Sequence, residues 1–140
     1  MSEHVRGKIK HHDRALQLRD YSGLNYGKIT PSDIDGILEF SDRLFVLMEF
    51  KSFGAPFELG QRLCFERLVH AIAYSKRKAV ALLAEHDTAI GEEIDCAKAI
   101  VKEFFEGGQW HKRKNDGRQV TVREFIDFYH QTYVLKACLT

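Results

Sequence analysis

Residues 31–51 read PSDIDGILEFSDRLFVLMEFK, and this stretch decides the fold. Two short runs, Ile34 to Phe40 (IDGILEF) and Leu44 to Lys51 (LFVLMEFK), are rich in apolar, β-branched and aromatic residues, and only Ser41-Asp42-Arg43 separates them. That spacing predicts a β-hairpin with a three-residue loop. The second run is apolar on both faces, as in a strand that is covered on both sides and central in its sheet. In a strand, alternate residues share a face. Asp33, Asp35, Ile37 and Glu39 therefore fall on one side of the first strand, and Leu47, Glu49 and Lys51 on one side of the second. Counting outward from Asp42, Asp35 faces Glu49. Two carboxylates and an ammonium are expected together at one end of the sheet.

Charges beside an apolar strand core are costly unless they are paired or bind a metal. Two facing carboxylates repel each other, and a hard divalent cation relieves the repulsion. Mg²⁺ suits such a site, because it takes one or two carboxylates and fills its octahedron with waters and phosphate oxygens. A metal there polarises a phosphoryl oxygen and acidifies a bound water. Lys51 would hold or deprotonate the attacking water, or offset charge developing in the transition state.

Downstream, Ser52-Phe53-Gly54-Ala55-Pro56 breaks the strand pattern. A helix follows from about Glu58 to Ser75, with Gln61, Phe65, Leu68, Val69 and Ile72 on one face and Arg62, Glu66 and Arg67 on others. After the basic turn Lys76-Arg77-Lys78 comes Ala79 to Ala84 (AVALLA), a second doubly apolar strand. A strand–helix–strand connection of this length is usually a right-handed crossover. His86 to Glu93 reads as a polar loop. Cys96 to Trp110 suits either a helix or a hairpin, and Gly107–Gly108 favours a hairpin turn there over a phosphate-binding loop. Thr121 with Glu124 starts a final helix through a capping box. Its stripe of Val122, Phe125, Ile126, Tyr129 and Tyr133 is core or a dimer face. Upstream, residues 1–30 are polar, with a short helix expected from Asp13 to Leu18 and turns at Ser22–Gly23 and Asn25–Tyr26–Gly27.

A chain of 140 residues, 44% apolar and 29% charged, is sized for one water-soluble domain over residues 1–140 with its own core. The net charge of +1 removes any bulk-charge argument for nucleic acid. Basic surface is local: Lys76, Arg77 and Lys78, and Lys112, Arg113 and Lys114, are candidates for phosphate contacts, although such runs are often merely solvated. Cys64, Cys96 and Cys138 form no CxxC pair, which predicts buried thiols in a reducing compartment. The polar N-terminus has no secretory h-region, and no run approaches the ~18 apolar residues of a membrane span. A cytoplasmic setting is expected, that of a cell or of a phage-infected host. His70 and His86 lack spaced partners, so there is no zinc motif. His11–His12 reads as tail rather than as a metal pair.

Asp35 followed by Glu49-Phe50-Lys51 resembles the D…(D/E)xK signature of the PD-(D/E)XK nuclease superfamily, which includes restriction endonucleases, archaeal-type Holliday junction resolvases and RecB-like exonucleases. Ser52-Phe53-Gly54 and a helix carrying Gln61 also look like members in which a glutamine follows the motif. The resemblance covers about residues 29–85 and is similar to small phage and bacterial members; residues 86–140 are accessory. It implies a restriction-endonuclease-like α/β fold, with an αβββαβ core, a mixed sheet flanked by helices, and here a C-terminal helix in addition. It implies a divalent-metal-dependent deoxyribonuclease using Mg²⁺, with Mn²⁺ as a substitute, acting on DNA. A homodimer would serve two-strand cleavage. Carried over by position, Asp35 and Glu49 ligate the metal with the Phe50 carbonyl, Lys51 is the catalytic lysine, and Gln61 orients lysine, water or substrate. Pro31 does not directly precede the aspartate, so Asp33 competes with Asp35 as first ligand. Many members carry a further glutamate on a first helix, and Glu3 is the sole early candidate. The alternative is a catalytically inactive nuclease-fold module that binds DNA or a protein, such as a phage adaptor or inhibitor working through its last helix.

Overall fold

The hairpin turns where the sequence places it. Ser41 and Asp42 adopt positive φ of 50° and 61°, which folds the chain back after Phe40. The Arg43 amide closes the loop onto the Phe40 carbonyl at 2.9 Å, and the Glu39 carboxylate accepts from the Asp42 amide. Strands β1 (Gly36–Phe40) and β2 (Leu44–Ser52) pair antiparallel with Phe40 opposite Leu44 and Gly36 opposite Met48. The register is thus centred on Asp42. In this computed structural model the described residues are 7–9, 11, 17–113 and 118–136. The chain divides into two units, Met1–Pro31 and Ser32–Thr140.

In the first unit, the described residues form a 3-10 turn at Ser22–Leu24 and a bridge between Tyr26 and Ile29. Of the helix expected from Asp13 to Leu18, residues 13–16 lie outside the described residues, and Gln17 and Leu18 are not helical.

In the second unit, helix α1 (Leu59–Tyr74) carries the chain from β2 to β3 (Lys78–His86), which lies parallel to β2. Strands β4 (Ile100–Glu106) and β5 (Gln109–Lys112) follow as a hairpin whose turn, Gly107–Gly108, has φ of 61° and 78°. Two consecutive positive φ values suit glycine, which has no Cβ to clash. This settles the ambiguous 96–110 segment as a hairpin, preceded only by a 3-10 turn at Cys96–Lys98. Helix α2 (Val122–His130) begins with the expected capping box and runs into a π-helical turn, Gln131–Leu135. The result is an α/β fold on one mixed five-stranded sheet in the order β1-β2-β3-β4-β5.

Period-two alternation sorts the core into two layers. Leu44, Val46, Val80, Leu82 and Ala84 face α2, where they meet Val122, Phe125, Ile126 and Tyr129. Leu47, Ala79, Ala81 and Leu83 face α1, where they meet Phe65 and Val69. Burying a Leu or Val side chain fully is worth about 1.5–3 kcal/mol, so β2 and β3 anchor the molecule. The aromatic stripe of the last helix is core: Phe125 and Tyr129 are buried between α2 and the sheet, which removes them as an open docking face.

Two expectations need correction, and one finding adds to them. Off the apolar stripe of α1, Arg62 grips Glu103 with both guanidinium nitrogens, at 3.1 and 2.6 Å, and Glu66 accepts from Trp110 Nε1 at 2.6 Å. The α1 face next to its apolar stripe therefore packs on β4 and β5. Cys64 is only half-buried and Cys96 is exposed, so these two thiols are not buried core; Cys138 lies outside the described residues. The strand read as Ala79–Ala84 extends at both ends into polar residues, Lys78 and Glu85–His86, because strand pairing with β2 continues there. No helix among the described residues is long and apolar enough to cross a membrane.

Candidate active site

The hairpin register and α1 together build the site. Asp35 immediately precedes β1, and its Oδ2 accepts from the Phe50 amide at 2.8 Å, which ties it to the last turns of β2. Glu49 and Lys51 project from β2 on the α1 side, and Lys51 Nζ stands 3.6 Å from Glu49 Oε1. Gln61, in the first turn of α1, donates from Nε2 to the same Glu49 oxygen at 2.9 Å. Glu58 ahead of the helix is extended (φ −71°, ψ 144°), so α1 starts at Leu59 and its first turn overhangs β2. Asp33, exposed like Asp35, lies two residues further from the turn. It is Asp35 whose charge bears on Glu49.

Glu49 is 4% exposed and is the one buried charged residue among those described. Burial raises its carboxyl above the ordinary value, and the facing Asp35 charge raises it further; Gln61 and Lys51 only partly oppose this. Two buried side-chain oxygens here have no hydrogen-bond partner among the described residues: Glu49 Oε2 and Gln61 Oε1. A buried acceptor left unsatisfied costs roughly 1–3 kcal/mol, so a pair of them on contacting side chains calls for an explanation. Both atoms are hard oxygen acceptors that a cation would satisfy.

The donor set selects among cations. No group of three or more His, Cys, Asp or Glu side chains assembles among the described residues. Zinc's nitrogen and sulfur ligands and calcium's larger carboxylate cage are therefore both poorly matched. Two carboxylates beside neutral oxygens are the donor types that a hard divalent cation takes. A strand residue directs its amide and carbonyl to the same edge. The Phe50 carbonyl accordingly shares the β1 edge with the amide that Asp35 accepts, while its side chain packs in the opposite layer.

The basic runs part company. Lys78 pairs with Leu44, and Lys51 pairs with Glu85, seven positions further along β2. At ~3.3 Å per residue that is roughly 23 Å, so Lys76, Arg77 and Lys78 lie at the end of the sheet away from Glu49. Arg77 is also held by Asp42 at 2.7 and 2.6 Å, and Lys78 by Glu106 and the face of Tyr133. These three residues lie at the opposite end of the sheet from Glu49 and Lys51. Lys112 and Arg113 lie at the same end as Glu49 but on the far edge strand, about three strand spacings or ~14 Å away; Lys114 lies outside the described residues. His12 and Glu3 also lie outside them.

Two residues escaped the sequence reading. Glu85 is the cross-strand neighbour of Lys51 and lies on its face of the sheet, one strand spacing from it. Lys102 occupies a β-bulge: Leu83 pairs with Glu103 and Ala84 with Val101, which leaves Lys102 as the extra residue. Bulges re-aim a side chain and are common beside active sites. A polar residue at the edge of an apolar run was the one signal for Glu85; a bulge has no sequence signature here.

Comparison of the chain with protein-family models, with curated proteins and with solved structures finds no match in any of the three.

Proposed function

We propose that the chain is a divalent-metal-dependent nuclease of the PD-(D/E)XK type, hydrolysing DNA phosphodiester bonds. The observation that carries this reading is the pair of buried, unpartnered oxygens, Glu49 Oε2 and Gln61 Oε1, beside Asp35 and Lys51. The order β1-β2-α1-β3 would correspond to the later part of an αβββαβ core.

Asp35 and Glu49 would hold the ion, with Gln61 Oε1 and the Phe50 carbonyl as neutral donors. When bound, Mg²⁺ supplies a Lewis acid for the phosphoryl oxygen and lowers the pKa of water. Lys51, whose Nζ stands 3.6 Å from Glu49 Oε1, would offset charge on the leaving or attacking oxygen with its ammonium. Gln61 fixes the Glu49 rotamer through its 2.9 Å bond. The Phe50 amide fixes Asp35 in the same manner. Each charged group is thus positioned before substrate arrives.

The test is cleavage of labelled single-stranded, duplex and four-way-junction DNA in Mg²⁺, in Mn²⁺ and in EDTA, beside Asp35→Ala and Lys51→Ala. Metal-dependent cleavage that falls by about 10²- to 10⁴-fold in both variants is the expected result. Cleavage in EDTA, or cleavage that survives both substitutions, would overturn the assignment. The absence of cleavage on every substrate would favour the non-catalytic binding module.

A further inference from the structure

Beyond Lys51 the chain makes a tight turn, and Phe53 stands on it. The ring is 76% exposed, yet its backbone is fixed: the Phe53 amide donates to the His86 carbonyl at 2.9 Å, and the Ala55 amide to the Ser52 carbonyl at 2.9 Å. Gly54 allows the turn, with φ of 81°. These hydrogen bonds hold the backbone that carries the exposed ring.

Phe53 forms one wall of a cavity of about 490 Å³ at the ends of β3 and β4. Lys102, re-aimed by the bulge, lines the cavity, and its Nζ stands 5.9 Å from the Phe53 ring centre. Lys98 lines it too, 3.8 Å from Asp95 in a pair whose members are both largely exposed. Such a pair contributes little and yields readily to a stronger anion. Glu85, another wall residue, is the neighbour of Lys51, so the cavity adjoins the carboxylate site.

An aromatic face with an adjacent ammonium is the chemistry that holds an unpaired nucleotide: the base stacks and the phosphate meets the cation. The wall is not uniformly basic, since Glu85, Asp87 and Asp95 also line it. A duplex presents two phosphate rails and would meet those acids. A single strand can offer one phosphate to Lys102 while its base lies on Phe53.

We infer that this cavity is a subsite for one unpaired nucleotide of a single strand, with its base on Phe53 and its phosphate on Lys102, next to the scissile bond. The inference rests on the nuclease reading for its link to cleavage, but its test does not. Fluorescence anisotropy of labelled twelve-nucleotide oligothymidylate, its RNA counterpart and a blunt DNA duplex is measured in Ca²⁺, for wild type, Phe53→Ala, Phe53→Trp and Lys102→Ala. Expected is a clear preference for the single strands, weakened about ten- to hundred-fold in Phe53→Ala and retained in Phe53→Trp. Lys102→Ala should weaken binding and reduce its salt dependence by about one phosphate contact. The DNA and RNA arms identify the sugar. Equal binding of duplex and single strand, no binding of either, or an unchanged Phe53→Ala would each overturn the subsite. Loss of cleavage with the binding pattern intact would instead count against the nuclease reading alone.

Discussion

The two ends of the sheet each hold a carboxylate beside a lysine, and the protein treats them oppositely. At one end Glu106 accepts from Lys78 and from the Tyr129 hydroxyl, and the Lys78 ammonium also lies 4.6 Å from the Tyr133 ring centre. Burial opposes ionisation of Glu106, but the Lys78 and Tyr129 bonds outweigh it and hold the carboxyl below its ordinary value. At the other end Glu49 is more deeply buried and faces a second carboxylate; its Lys51 neighbour is 3.6 Å away, and one oxygen is unpartnered. Its carboxyl is pushed up, first by burial and then by Asp35. The satisfied cluster reads as structure. The frustrated one is where the proposed function puts its metal.

The contrast can be broken most forcefully at the two lysines. Lys51→Ala should lower cleavage by about 10²- to 10⁴-fold with little change in Tm. Lys78→Ala should leave the chemistry intact. If both variants lose activity in proportion to stability, the ends are not functionally distinct.

Glu106→Gln comes next. It leaves the half-buried Lys78 without its carboxylate, and unfolding free energy should fall by about 2 kcal/mol in urea titration. That loss should disappear on acidification. A carboxyl held low in the fold stabilises above its ordinary value of 4.5, and this contribution is lost as pH falls through the folded pKa.

Glu49→Gln has the opposite sign and a smaller size. A carboxyl raised in the fold stabilises most below 4.5 and less as pH rises through its folded pKa. Removing the charge should therefore raise the Tm of the metal-free protein at neutral pH, and the gain should shrink toward pH 4.5. Mn²⁺ at a hundredfold excess over its Kd should stabilise wild type by about 2.7 kcal/mol and should not stabilise Glu49→Gln. A variant that is less stable than wild type in EDTA would show that Glu49 is not frustrated.

The smallest effect belongs to Arg77→Ala. Its partner Asp42 is exposed and the pair is solvent-screened, so neither Tm nor oligonucleotide affinity should move measurably. A large loss of affinity would return the Lys76–Lys78 run to the nucleic-acid surface.

Much of this was legible because short-range rules act alone there. A three-residue loop between alternating runs fixes register, so Asp35 opposite Glu49 follows from counting about Asp42. The Thr121–Glu124 capping box and the Gly107–Gly108 turn are equally local. What the sequence concealed depends on placement across the sheet. Lys76-Arg77-Lys78 looks like any basic run until parallel pairing of β2 with β3 puts it at the far end from Lys51. Glu85 fell between the strand read as Ala79–Ala84 and the loop read from His86, because hydrophobicity stops at Ala84 while strand pairing continues to His86. Lys102 gains its position from a bulge that alternation hides.

The strand order along the sheet repeats the order along the chain, and this bears on how the molecule assembles. Three of its four ladders join antiparallel strands that follow each other in sequence without an intervening α-helix. Only the parallel ladder of β2 with β3 must wait for α1 to form and dock between them. Low contact order speeds every closure except that one, so the Val46–Val80 pairing is the expected bottleneck of folding. Trimming either residue should slow refolding, whereas trimming β5 should mainly hasten unfolding.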